Sequence, residues 1–230
     1  MRVLFLGNSH TYFNDMPELF ARMCADATGK RPEVTMLAYS GRSLEWHCTE
    51  YFSMRFALLY GKYDYCVLQQ QAHPFPGKEE TVLWVSRILS LCRKTGTKPI
   101  LFMTWAEKEH PDHLPAMQET YRGITEESGS LLLPIGELFS LVQKEHPEIS
   151  LYWKDGEHAS PYGDYLIAAT LTSLLCGSNS LDAVGDGGIN FSVSFQDSDG
   201  LPSASEDPEQ MKITLDPETA RILRKAAASF

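Results

Sequence analysis

The chain alternates between short apolar runs and longer amphipathic segments. Five runs have strand length and are bounded by glycine, proline or charged residues, which predicts the β-strands RVLFLG, EVTMLAY, YDYCVLQQ, KPILFMTW and SLLLPIG. Between them, apolar residues recur at every third or fourth position, as expected for helices with one buried face. Two helices also have end signals: one starts after the capping signal Asn14-Asp15 and ends at Gly29, and the other ends at Gly96.

Strands that alternate with helices favour a parallel sheet covered on both faces. We therefore predict an α/β protein, a three-layer α/β/α sandwich with a mainly parallel five-stranded sheet. The ligand site of such a sheet lies beyond the carboxyl ends of its strands. Ser9, the turn Ser40-Gly41, residues 69–73 and Trp105 follow four different strands, so we expect them at one edge of the sheet.

The pattern changes after residue 177. Residues 178–211 are acidic and rich in Gly, Ser and Pro, and a helix is predicted over 216–229 because Asp216 and a following proline form a start signal. We predict one α/β domain over 1–177 and an appendage over 178–230 that packs on the same domain.

Composition narrows the class of protein. With 230 residues, 43% hydrophobic and 22% charged, the chain is typical of a soluble globular protein. Its net charge of -10 is unfavourable for nucleic acid or an anionic membrane as a partner. Because no signal-peptide pattern is visible and the five cysteines are widely spaced, we expect free thiols and a cytoplasmic location. A chain from which a signal peptide had been removed would show the same pattern. The oligomeric state stays open.

One serine and one Asp-x-x-His pair are the main candidates for chemistry. A serine hydroxyl becomes nucleophilic when a base takes its proton, and the base needs an orienting carboxylate. Ser9 follows the first strand in GNSHT, and Asp155 and His158 stand three apart in DGEHASPYG, ahead of a predicted helix. The alternative is structural: Ser9 is an ordinary turn residue, and the second segment, with Ser160, caps the helix.

These segments carry a resemblance. FLGNSHT and DGEHASPYG resemble the first and last blocks of the SGNH (GDSL-like) hydrolase superfamily, and AYSGRSL resembles its second block. The resemblance covers residues 1–177 and implies a flavodoxin-like sheet. It also implies that Ser9 is the nucleophile, His158 the base and Asp155 its orienter, while the N–H groups of Ser9 and Gly41 stabilise the oxyanion.

The third block departs from the family pattern. The family has Gly-x-Asn-Asp after its third strand, and the Asn donates to the oxyanion, whereas this chain has QQQAHPF. If the strand continues through these residues, alternation places the side chains of Gln69 and Gln71 on one face of the sheet and that of Gln70 on the other. We expect Gln71 to be the donor, with Gln69 and His73 as alternatives, in a divergent branch that has Gln in place of the Asn.

Three further residues are candidates for substrate binding. Asn8 is expected to fix the turn beside Ser9, and His10 and Trp105 either pack or line a pocket. His110 and His113 have a spacing that suggests a metal, but Pro111 interrupts the helix that would align them. We therefore expect no metal site.

The resemblance implies a serine esterase that works through an acyl-enzyme without a cofactor. Short acyl or O-acetyl groups, on a small molecule or a carbohydrate, are the first candidates for substrate by analogy. The sequence identifies neither the acyl group nor the alcohol. Two alternatives remain open, a non-catalytic carbohydrate- or ligand-binding domain on the same scaffold and a lipase or thioesterase.

Overall fold

A computed structural model describes residues 1–50, 52–184 and 215–230, with the backbone of four two-residue strands between the last two ranges. The main sheet consists of β1 (Arg2–Gly7), β2 (Glu33–Ala38), β3 (Tyr65–Gln69), β4 (Lys98–Met103) and β5 (Leu131–Pro134). All neighbouring strands are parallel, in the order β2-β1-β3-β4-β5. This is the strand order of the flavodoxin-like α/β fold, so the predicted fold class is confirmed.

Helices are described at the segments whose ends the sequence predicted and also at segments for which no helix was predicted, between residues 9 and 12 and between 44 and 60. They are α1 (Ser9–Tyr12), α2 (Met16–Thr28), α3 (Leu44–Thr49), α4 (Phe52–Tyr60), α5 (Lys78–Thr95), α6 (Leu114–Ser128), α7 (Ile135–Glu145), α8 (Pro161–Cys176) and α9 (Pro217–Ala228). The end of α5 at Gly96 is confirmed: this glycine has a φ of 72°, and its N–H donates to the Cys92 carbonyl.

Helix α2 begins where it was predicted, directly after Asn14-Asp15, but without the predicted side-chain cap. Asp15 makes no side-chain cap, and it and Asn14 have left-handed φ values of 57° and 50°. Burial raises the pKa of Asp15 to about 6, with a smaller contribution from nearby Glu18. The capping prediction for Asp15 was wrong because the chain turns sharply here and carries the carboxyl group away from the free N–H groups of the helix.

The described chain divides into two compact units. The first contains residues 1–11 and 32–137, and the second contains 12–31 and 138–230. In the first unit, one face of the sheet packs on helices through a cluster that includes Leu6, Leu68, Leu101, Val85, Ile88 and Tyr121. Side chains of the opposite face, among them Phe5 and Phe102, are also buried, as expected for a parallel sheet.

In the second unit, α8 packs against α2 and α9. Helix α8 is apolar on all sides and its residues from Gly163 to Ser173 are buried, which is typical of a central helix. Ser160 caps it as expected, because its hydroxyl oxygen accepts hydrogen bonds from the N–H groups of Tyr162 and Gly163. Arg224 of α9 donates to the Tyr165 hydroxyl of α8.

Most of the acidic segment 178–211 lies outside the described residues. Four short strands are described by their backbone between residues 191 and 213: β6 (Phe191–Ser192) pairs with β9 (Lys212–Ile213), and β7 (Phe195–Gln196) pairs with β8 (Pro202–Ser203). The domain boundary at residue 177 stays a prediction. None of the described helices combines the length and the apolar character that crossing a bilayer requires.

Candidate active site

The candidate residues lie in two regions, one in each unit. The nucleophile region consists of residues 7–11, 39–42 and 69–73, in the first unit. These segments follow the carboxyl ends of three parallel strands, so they lie at one edge of the sheet, as predicted. The base region consists of residues 150–160, in the second unit.

The turn that carries Ser9 is fixed from the third strand. Ser9 begins α1 immediately beyond β1 and is 7% exposed. The Asn8 N–H and the Thr11 hydroxyl both donate to Gln69 Oε1, at 2.8 and 2.9 Å. A Cβ at Gly7 would lie 2.3 Å from Thr11 Oγ1 and 2.5 Å from Gln69 Oε1, so only glycine leaves room for this arrangement.

Gln69 and Gln70 are buried and hold the loop after β3. The Gln69 amide N–H donates to the Gln70 carbonyl, so both ends of this amide are engaged inside the loop. Gln70 Oε1 accepts from the N–H groups of Leu44 and Gln71. Gln69 is 0% exposed, so the second N–H of its amide is not accessible to a ligand at this edge.

Gln71 is the partly exposed member of the three glutamines. Strand β3 ends at Gln69, so the alternation that groups Gln69 with Gln71 does not continue to Gln71. The backbone N–H of Gln71 donates to Gln70 Oε1, so its backbone is part of the loop that Gln69 and Gln70 hold. Its side-chain amide is therefore the glutamine amide with access to a ligand at this edge.

The loop after β2 is tied to the Ser9 turn. Asn8 bridges the two: its amide donates to the Arg42 carbonyl at 3.0 Å, and its carbonyl oxygen accepts from the His10 N–H at 3.1 Å. The expected role of Asn8 in fixing the turn agrees with these bonds. Gly41, the residue before Arg42, is exposed. Its φ of 66° lies in the left-handed region, which favours glycine.

His10, His73 and Trp105 form a hydrogen-bonded row. His73 Nε2 faces the Trp105 carbonyl at 3.0 Å and must donate, so its Nδ1 accepts from His10 Nε2 at 2.9 Å when His73 is neutral. Trp105 is 1% exposed and its ring packs on His10. A tryptophan this buried has little surface for a ligand, and both ring nitrogens of His73 are engaged in the row.

The base region is built by local hydrogen bonds. Asp155 Oδ2 accepts from His158 Nδ1 at 2.8 Å, and Asp155 Oδ1 accepts from the N–H groups of Glu157 and His158. Although burial opposes it, these bonds lower the pKa of Asp155. His158 therefore has its proton on Nδ1, and Nε2 is the acceptor nitrogen, which is the tautomer of a general base.

A short hairpin presents this pair. Tyr152 pairs with Ala159, the Trp153 N–H donates to the His158 carbonyl, and the Ser160 hydroxyl donates to the Ser150 carbonyl at 2.6 Å. A Cβ at Gly163 would lie 2.4 Å from the Leu151 carbonyl oxygen, so glycine in the first turn of α8 lets the hairpin pack closely on the helix.

Phe13 and Asn14 support the base region from the turn before α2. The Phe13 ring stacks on the His158 imidazole, with centroids 4.5 Å apart. Asn14 donates to the Ala159 carbonyl at 3.0 Å and to Asp164 Oδ2 at 2.6 Å. Asp164 is fully buried, which raises the pKa of its carboxyl group well above the usual value, and its Oδ1 has no hydrogen-bond partner among the described residues.

Sequence reasoning missed several of these supports. His47 is buried on α3, and its Nε2–H donates to the Gly7 carbonyl at 2.8 Å. Burial lowers the pKa of His47, so it is neutral and a second anchor of the turn. A histidine in an amphipathic helix gives no sequence signal of this role, and neither does Asn14, whose partner Asp164 is 150 residues away.

The metal prediction is not decided by the structure. Candidate ligand atoms of His110, Asp112 and His113 lie within 4.8 Å of one another, all on exposed side chains. His113 Nδ1 is hydrogen-bonded to Glu107 at 2.9 Å. These residues surround a 3₁₀ turn that precedes α6.

An exposed aromatic surface adjoins Gly41. The rings of Tyr39 and Trp46 are 5.0 Å apart, and the Arg42 guanidinium lies over the Trp46 ring at 5.3 Å. Tyr39 is 42% exposed. The Tyr39 N–H donates to the Gly7 carbonyl, so this surface is connected directly to the Ser9 turn.

The fold is similar to those of several solved structures. A protein from Slackia heliotrinireducens assigned to the SGNH hydrolases aligns with a TM-score of 0.67 and 26% identity, over 75% of this chain and 97% of that one. A DUF4886 family protein from Bacteroides uniformis gives 0.68 and 17%, over 100% and 93%. An acetyl xylan esterase from Geobacillus stearothermophilus gives 0.58 and 16%, over 80% and 94%. No family model and no curated protein matches the sequence.

These likenesses confirm the resemblance to the SGNH hydrolases that the sequence blocks predict. The alignment with the Slackia protein spans nearly all of that protein and three quarters of this chain. The alignment with the Bacteroides protein covers 100% of this chain and 93% of that one.

Proposed function

We propose that the protein is a serine esterase that removes an acyl group from a small-molecule or carbohydrate ester through a covalent acyl-enzyme. The observation that carries this proposal is the bond between Asp155 and His158, because it selects the imidazole tautomer of a general base. Ser9, in a turn held by buried hydrogen bonds, is the proposed nucleophile. The order Ser, Asp, His agrees with the superfamily blocks.

The proposed reaction begins when Ser9 Oγ attacks the ester carbonyl and His158 Nε2 takes the hydroxyl proton. Asp155 stays ionised and stabilises the imidazolium. The oxyanion accepts hydrogen bonds from the N–H groups of Ser9 and Gly41 and from the Gln71 amide. His158 then gives its proton to the departing alcohol. Water, activated by His158, hydrolyses the acyl-enzyme and restores Ser9. No metal or organic cofactor is required.

The proposed substrate is an O-acetylated carbohydrate. Two structural neighbours are named acetyl xylan esterases, and the aromatic surface of Tyr39, Trp46 and Arg42 offers ring faces and guanidinium donors of the kind that bind sugars. In the proposed arrangement the sugar contacts this surface and the acetyl group lies beside Ser9. Another structural neighbour is named a lipase/acylhydrolase. A lipase that accepts a long acyl chain needs a deep apolar groove beside the nucleophile, so the length of acyl chain that is hydrolysed distinguishes the two substrate classes.

Labelling with a fluorophosphonate tests the proposal, because the probe reacts covalently with an activated serine. Wild type should be labelled, and Ser9→Ala and His158→Ala should not, while both variants keep the circular dichroism of the wild type. The matched control is Ser86→Ala, an exposed serine on α5 outside both regions of the candidate site, which should label normally. A folded wild type that resists the probe and hydrolyses no acetyl ester would favour the non-catalytic binding domain instead.

A further inference from the structure

Two cysteines from distant parts of the sequence meet inside the second unit. Cys24 lies in α2 and Cys176 is the last residue of α8, and their sulfur atoms are 3.6 Å apart. A disulfide bond has a length of about 2.05 Å, so the two sulfurs need to approach by roughly 1.5 Å. Because Cys176 ends its helix next to Gly177, the approach does not require the interior of α8 to move.

The two thiols differ in access and in charge. Cys24 is 1% exposed, whereas Cys176 is partly exposed. The hydrogen-bonded contact between the two sulfurs lowers the pKa of Cys176 to about 7, against the effect of burial. The same contact, together with burial, raises the pKa of Cys24. The outer sulfur thus has thiolate character at neutral pH, and the inner one remains an S–H donor.

The other three cysteines lack this combination. Cys66 and Cys92 are fully buried in the core of the first unit, and burial raises the pKa of Cys66. Cys48 is partly exposed, but burial raises its pKa to about 11, so little thiolate is present at neutral pH. Thiolate content and access together decide how fast a cysteine reacts with a disulfide.

We propose that Cys24 and Cys176 form a reactive dithiol that closes to an intramolecular disulfide when the protein meets a small disulfide such as glutathione disulfide. The Cys176 thiolate attacks one sulfur of the small disulfide, forms a mixed disulfide and releases one thiolate. Cys24 then loses its proton to solvent and attacks the Cys176 sulfur, which expels the second thiolate. Overall, two protein thiols are oxidised and one small disulfide is reduced to two thiols.

The closed bond joins residues 152 positions apart in the chain. Cross-links that close long loops stabilise the folded state mainly by restricting the unfolded chain. The oxidised protein should therefore unfold at a temperature about 5 to 10 °C higher than the reduced protein.

The test treats the folded protein with glutathione disulfide and counts thiols after denaturation. The count should fall by two from the initial five, return with dithiothreitol, and be matched by a cross-linked Cys24–Cys176 peptide in mass spectrometry. Cys24→Ser should stop at a stable glutathione adduct on Cys176. Cys176→Ser should react at neither position, and Cys48→Ser, the matched control, should behave as wild type.

Three results would overturn the proposal. Wild type could keep all five thiols under conditions that oxidise the unfolded chain, the cross-link could join other cysteines, or the adduct in Cys24→Ser could lie elsewhere than on Cys176. The measurement on wild type does not depend on the folding of any variant. It is also independent of esterase activity, so its outcome leaves the proposed function untouched.

Discussion

The nucleophile region and the base region are held in place in different ways. The Ser9 turn depends on Gln69, whose partners Asn8 and Thr11 are 61 and 58 residues away, and all of these side chains are buried. The Asp155–His158 pair depends on hydrogen bonds between residues two or three apart, and it is partly exposed. Changes in the base region should therefore affect chemistry alone, whereas changes at the buried anchors of the nucleophile region, such as Gln69, should also affect stability.

The largest effect is expected for Asp155→Asn. The substituted amide no longer stabilises an imidazolium and favours the wrong tautomer of His158, so kcat for acetyl-ester hydrolysis should fall about 1,000- to 10,000-fold. The side-chain oxygen can still accept the N–H groups of Glu157 and His158, so the melting temperature should change little. Steady-state kinetics and thermal melting measure the two quantities.

Glu157→Gln is the matched control for this change. It removes a negative charge from the same loop at an exposed position that does not pair with His158 Nδ1. Its kcat should stay within about twofold of wild type, as is usual for surface substitutions. Equal losses in both variants would mean that the loop charge, and not the orientation of His158, controls the rate.

The second effect is expected for Gln71→Ala. Loss of one oxyanion donor typically lowers kcat by about 100- to 1,000-fold, and the free energy of unfolding should change by less than about 0.5 kcal/mol because this side chain is partly exposed. His73→Ala is the comparison for the alternative donor. If His73→Ala slows catalysis and Gln71→Ala does not, the donor role passes to the His10–His73 row.

The contrast between the two regions also explains what the sequence could predict. The Asp155–His158 pair is local, so its spacing alone predicted the hydrogen bond that the structure contains. Apolar periodicity likewise predicted the five strands and the fold class. The role of Gln69 could not be predicted, because it depends on which strands are neighbours and where β3 ends. The role of His47 could not be predicted for the same reason, because its hydrogen bond to the Gly7 carbonyl joins helix α3 to strand β1.

The third effect is expected for Gln69→Ala, which removes the buried side chain that holds the Ser9 turn. The Asn8 N–H and the Thr11 hydroxyl lose their buried acceptor and a cavity remains, so the free energy of unfolding should fall by about 2 to 4 kcal/mol. Chemical denaturation, side by side with Gln71→Ala, measures the difference between neighbouring glutamines. A stability loss in Gln71→Ala as large as that in Gln69→Ala would contradict the assignment of their roles.

The smallest effect, and the one that depends on pH, concerns Asp164, which accepts a hydrogen bond from Asn14, one of the long-range supports of the base region. Burial raises the folded-state pKa of Asp164 well above 3.8, so the folded protein keeps this carboxyl protonated at pH values where the unfolded chain has ionised it. The stability contribution of Asp164 is therefore fully present below about pH 4 and is lost, by up to about 1.4 kcal/mol per pH unit, as the pH rises towards the folded-state pKa.

Asp164→Asn is neutral at every pH and can still accept the hydrogen bond from Asn14. Its free energy of unfolding relative to wild type should therefore increase between pH 5 and pH 7, as measured by urea denaturation at each pH. Asp26→Asn, at an exposed site on α2, is the control and should show no such trend. Parallel pH profiles for Asp164→Asn and wild type would mean that Asp164 is ionised in the folded protein. The Asn14 amide, which also donates to the carbonyl of Ala159 next to His158, would then be hydrogen-bonded to a charged Asp164 carboxylate and not to a neutral carboxyl group.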